Sequence, residues 1–242
     1  MNFIKRLFKN FNSDSEPKGE LNNTVKEKRK RIEKINELDF AWELFKKEEF
    51  EKSIQGAEKY LNNTNTKIVL EAKKIIGLSL FRQTKYSESE LIFQEVSEQS
   101  ENPDDWFNLT TSATLNKNIE LSERAFNKAI ELYKQNGTQE NLSIPNMHCY
   151  YMQGLRDVGE FEKAFLHFKK MIEFYSKFVI TDSTFLYMRG MPFFEHFLES
   201  SELILKNINP EDVKKRLAEL KSSVDEYGKE SVTELENKIN AS

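Results

Sequence analysis

Four side chains in this 242-residue chain carry the imidazole or thiol groups most used as metal ligands or in nucleophile–base pairs: His148, His167, His196 and Cys149. Their spacing is poor for either chemistry. There is no HExxH, no CxxC and no pair of histidines one helical turn apart, so a zinc site would have to be assembled from distant residues. His148 and Cys149 are adjacent, and neighbours on a helix point about 100° apart, which keeps them from chelating one ion. Cys149 as a nucleophile would need a base held beside it; as the chain's single cysteine it reads better as a buried structural thiol. Glu195-His196 reads as a surface pair beside an aromatic face. The chain also lacks GxGxxG, GxxxxGK[ST] and GxSxG. We therefore expect no catalytic residues, no metal and no cofactor, and a protein that is not an enzyme.

The elements that position these residues are helices. Gly and Pro total only 13, where average usage would give roughly 29. Hairpins, tight turns and phosphate-cradling loops consume those residues, so sheet-rich and nucleotide-binding folds are disfavoured. Breaks fall near 62–66, 100–103, 136–145, 181–182 and 207–210, with helical periodicity between them.

One ruler fits four successive stretches. From Ala41, the residues at +9, +12, +16 and +19 are Phe50, Ser53, Ala57 and Tyr60. From Gly77 they are Tyr86, Ser89, Phe93 and Val96; from Thr110, Ile119, Ser122, Phe126 and Ala129; from Met152, Phe161, Ala164, Phe168 and Met171. The anchors recur after 36, 33 and 42 residues. This pattern resembles the tetratricopeptide repeat, W-x2-L-G-x2-Y followed by A-x3-F and Pro, over about residues 34–175. It departs from that family where Ala41, Thr110 and Met152 replace glycine, and closing prolines are scarce. The 42-residue step places an insertion in LYKQNGTQENLSIPN. A degenerate fifth pair is expected over 182–207, with Gly190 as its anchor and Pro192 starting or kinking a helix.

The resemblance implies an all-α, right-handed solenoid of stacked antiparallel helix pairs over 26–209, with a C-terminal capping helix over 210–242. It also implies a concave groove lined by each pair's first helix. Its members would be Trp42 and Phe45; Lys74, Leu78, Phe81 and Arg82; Phe107 and Thr111; Gln153 and Arg156; Tyr187, Met191 and Phe194. Aromatic and arginine anchors of this kind favour protein partners. Either a partner or the chain's own terminal helices would fill that groove.

Residues 1–12 form a predicted basic amphipathic helix, with Phe3, Ile4, Leu7, Phe8 and Phe11 opposite Lys5, Arg6 and Lys9. It would dock on a membrane surface or a partner, or fold back onto the body. Residues 13–25 read as a mobile polar linker, and KEKRKRIEK at 26–34 as a solvated helix face. Residues 1–36 carry ten basic and five acidic side chains, whereas 37–242 carry 26 and 35, a balance of −9. Such a body repels nucleic acid and attracts a basic protein. No apolar run is long enough to span a bilayer, and the N-terminus lacks a signal peptide's apolar stretch. The expected setting is cytoplasmic, peripheral to the inner membrane face if residues 1–12 engage it. The expected role is a protein-binding adaptor. Rival readings are a bacterial immunity protein that neutralises a basic toxin, which AT-rich residue usage favours, and a membrane-anchored scaffold.

Overall fold

The computed structural model describes residues 38–136 and 142–241; the expectations for 1–12, 13–25 and the start of the repeat region lie outside them. Among the described residues the fold is all-α, with twelve helices and no strand. The first eight are α1 (Asp39–Lys46), α2 (Phe50–Glu58), α3 (Thr66–Arg82), α4 (Tyr86–Ser97), α5 (Pro103–Leu115), α6 (Ile119–Asn136), α7 (Ile144–Asp157) and α8 (Phe161–Tyr175). The last four are α9 (Ser183–Met188), α10 (Phe194–Leu205), α11 (Pro210–Ser222) and α12 (Glu226–Asn240).

The first eight helices pack on their neighbours in order, except that α7 packs chiefly on α5 rather than on α6, and one turn recurs in each pair. Each second helix, α2, α4, α6 and α8, begins nine residues after the anchor. Seven residues after each anchor the backbone enters the left-handed region, at Glu48, Thr84, Lys117 and Gly159 (φ 62°, 64°, 63° and 87°). The following amide then donates back to the carbonyl three residues past the anchor: Glu49 to Leu44, Lys85 to Leu80, Asn118 to Ala113, Glu160 to Leu155, all within 2.8–3.0 Å. This is how a helix C-terminus recovers an orphan carbonyl while reversing the chain. Only the last turn uses glycine; the other three carry the strain of a left-handed Cβ.

First helices start differently. Asn65, Asn102 and Ser143 cap α3, α5 and α7 by accepting from Lys67, Asp104 and Asn146 amides. The prolines Pro103, Pro145 and Pro210 sit in the first turn of α5, α7 and α11, where a missing amide proton costs nothing.

The packing inside the pairs follows the ruler. At +16, the Phe93 ring lies against Gly77 so closely that a Cβ there would sit 2.8 Å from it. Phe126 stacks on Tyr151 of α7 at 4.6 Å, and Phe168 on Phe197 of α10 at 5.3 Å. At +12, the serines are buried and hydrogen-bonded rather than merely small. Ser53 donates to the Ala41 carbonyl and Ser89 to the Gly77 carbonyl, each at 2.9 Å. Each hydroxyl also meets the next unit: Ser53 accepts from Ser79 at 3.3 Å, and Ser89 lies 2.9 Å from Ser112. The Ser89 proton is committed to Gly77, so Ser112 is the donor there. Ser122 donates to the Ile119 carbonyl at 2.8 Å and meets the Tyr151 hydroxyl at 2.9 Å. A line of satisfied polar atoms thus threads an otherwise apolar seam.

The C-terminal third departs from expectation in two places. Gly190 is not an anchor: at φ 67° it occupies the reversing turn after α9, where the Met191 amide donates to Leu186. The Pro192 carbonyl accepts from the buried Tyr175 hydroxyl at 2.8 Å, and α10 begins two residues later. The expected helix over 210–242 is two helices. The chain breaks at 223–225 because Asp225 caps α12 through the Gly228 amide and is itself tied to 179–181. Its amide donates to Val179, and its carboxylate accepts from the Thr181 hydroxyl at 2.6 Å. Gly228 permits that approach, since a Cβ there would lie 2.8 Å from Thr181. α10 packs against α7, α8 and α12, and α11 against α8 and α12.

Candidate partner-binding surface

The residues expected to line a groove are brought together in sequence order, but most are interior. In the first unit, the Trp42 indole donates to Glu71 of α3 at 3.0 Å and meets Phe45 edge-on. Phe45 is itself buried. The Arg82 guanidinium pairs with Glu48 at 2.8 Å and lies 5.2 Å from the Phe50 ring centre. Lys74 pairs with Asp105 at 2.9 Å. Asp105 is only 2% exposed and also accepts from the Ser100 hydroxyl, so this ion pair joins α3 to the start of α5. Leu78, Phe81, Phe107 and Thr111 are buried, the last donating to the Asn108 carbonyl.

In the fourth unit, α10 covers the expected groove. The buried Gln153 amide bonds to the Cys149 sulfur at 3.4 Å and approaches the His196 ring at 3.0 Å. Arg156 donates to the Ser200 carbonyl at 3.0 Å and to Asp157 at 2.6 Å. Met191 and Phe194 are buried, whereas Tyr187 is 62% exposed. Phe45, Leu78, Phe81, Phe107, Thr111, Gln153, Met191 and Phe194 are therefore not open surface. A first helix flanked by two neighbours buries most of its circumference, and here α10 takes up what the ruler leaves to a ligand.

Cys149 is enclosed, and burial pushes its thiol up to about 12, so it stays protonated near neutral pH. Among the described residues no group of three or more His, Cys, Asp or Glu is arranged to hold a metal ion. Two histidines do meet: His148 of α7 and His167 of α8 lie Nδ1 to Nδ1 at 2.8 Å. They are 19 residues apart, so no single-helix spacing announces them. The repeat ruler does, because it brings the position four before an anchor beside the position fifteen after it.

A different surface emerges, of which helical spacing had flagged only Tyr187. Val179, Ile180, Tyr187, Met188 and Phe193 are all exposed, within a stretch of fifteen residues. The stretch is fixed to α12 through Asp225, and Tyr227 of α12, 55% exposed, faces Glu195 just past Phe193; the Glu195 carboxylate pushes the phenol's pKa up. Val179 stands at φ 64°, an unfavourable backbone for a β-branched residue. Asp182, Glu195 and Glu226 lie along the same segments.

No helix among the described residues is long and apolar enough to cross a membrane. Comparison of the chain with protein-family models, with curated proteins and with solved structures found no match.

Proposed function

We propose that this is a non-enzymatic helical-repeat adaptor, a right-handed solenoid of the tetratricopeptide kind that binds a basic protein. Four turns with one hydrogen-bond pattern, at the spacing of the sequence ruler, support the solenoid reading. The observation that carries the binding reading is the concentration of exposed apolar side chains at 179–193. Solvent-facing Tyr, Met and Phe so close together mark interaction sites more often than chance surface. The balance of −9 over 37–242 selects a partner rich in Lys and Arg, and attraction of that kind accelerates association.

A Tyr187→Ser/Met188→Ser variant tests this by affinity purification with mass spectrometry from the native cell. Both side chains face solvent, so helix content should stay at the level of the parent. Loss of the basic partner from the captured set is the expected result; an unchanged set would overturn the assignment of this surface. A toxin-neutralising immunity protein is a special case of the same reading, distinguished by a captured partner that is a basic nuclease-like toxin.

A further inference from the structure

The His148–His167 pair has no part in the proposed binding surface, yet its setting is unusual. One proton lies between the two Nδ1 atoms, so one ring donates and the other accepts, and at most one of the two can be charged in this arrangement. Both rings meet Phe126 at 5.0 Å between centres; Tyr151 lies 4.7 Å from His167, and Phe174 lies 5.7 Å from His148. The charged groups facing the pair are Lys134 from α6 and Lys170 and Glu173 from α8. Glu173 is already bound to Lys170 at 2.5 Å. From α7 comes the Tyr151 phenol, which Glu123 and Glu160 face. No carboxylate accepts a hydrogen bond from either ring among the described residues. An imidazolium here would lie half-buried among aromatic rings beside two lysines, with its neighbour ring as its one side-chain acceptor among the described residues.

We propose that this pair makes the α7–α8 unit a proton-sensitive joint, which loosens in mild acid while α3 to α5 remain closed. Burial, the largest cause, holds His148 down to about 4 and His167 down to about 3. The sign follows: an opened unit exposes rings that protonate near 6.5, so the open form binds more protons and closure weakens as pH falls below that value. Above about pH 6.5 the contribution of the pair to closure is undiminished; the loss accumulates between there and the folded values.

Hydrogen exchange of the full chain, read by mass spectrometry and corrected for intrinsic rates, tests this. Between pH 7.5 and pH 5 the opening equilibrium of 144–175 should rise about 30-fold per titrating ring relative to that of α3. A His148→Phe/His167→Phe variant should lose that rise while keeping the aromatic volume. A ratio that does not change with pH, or the same rise in the variant, would overturn the proposal. Should the variant fail to fold, ring titration of the unmodified chain by NMR decides: rings neutral below pH 5 support the joint, and a ring titrating near 6.5 refutes it.

Discussion

Gly77 and Gly159 stand seven residues apart on the repeat ruler, at its anchor and at +7, and they are glycine for unrelated reasons. At Gly77 an added Cβ would meet the Phe93 ring at 2.8 and 2.9 Å, and that ring is 1% exposed with nowhere to go. At Gly159 nothing lies within 4 Å, and the constraint is φ 87° alone. We expect Gly77→Ala to destabilise by about 1–3 kcal/mol through overpacking, despite the better helix propensity of alanine. Gly159→Ala should cost about 1 kcal/mol through backbone strain. Chemical denaturation of the two variants separates them; equal costs would mean that the Phe93 contact relaxes freely. At this scale the sequence was informative about size and not about hydrogen bonding. Ser53, Ser89 and Ser122 read as small residues at +12, but that their hydroxyls bond the anchor carbonyl or the next unit is visible only once the helices are placed. The contact of His148 with His167 belongs to two helices rather than to one, so it is legible from the repeat ruler and not from any single-helix spacing.

Between elements, the polar ties decide how one pair meets the next. Asp105 is buried, accepts from Lys74 of the preceding pair and from Ser100, and precedes Trp106, whose indole donates to the Ser100 carbonyl at 3.0 Å. Glu90 of α4 accepts from both Asn116 and Asn118 in the α5–α6 turn, at 2.7 and 2.8 Å. Removing one member of a buried ion pair leaves the other charge uncompensated. Asp105→Ala should therefore lower unfolding stability by about 3 kcal/mol, and Lys74→Met in that background should recover part of it. A double-mutant cycle in urea measures the coupling; additive losses would show that the pair does not tie α3 to α5. Helix boundaries through α8 were legible because anchor, turn and second helix keep one spacing. The same ruler misled at Gly190, since glycine suits both a tight helix contact and a left-handed turn. It also missed the break at 223–225, where Asp225 ends one helix and starts another through its tie to Thr181, 44 residues away.

For the molecule as a whole, the proposed binding rests on two features: the acidic balance of 37–242 and the apolar stretch at 179–193. Attraction to a basic partner acts through exposed charge and is screened by salt, whereas apolar contact is not. Capture of the partner should therefore slow as ionic strength rises while the dissociation rate of a formed complex changes less. Surface plasmon resonance at low and high salt reads both rates, and a salt-independent association rate would exclude the electrostatic part of the reading.

The recurring turn also bears on how the chain is made. Each of the first four pairs closes through bonds between residues that leave the ribosome within moments of one another, so α3 and α4 can pair before α7 exists. The segment at 179–181 is different: its partner, Asp225, is synthesised 44 residues later. During synthesis the start of this exposed apolar stretch thus waits for its anchor, and in that interval a nascent chain would gain from a chaperone.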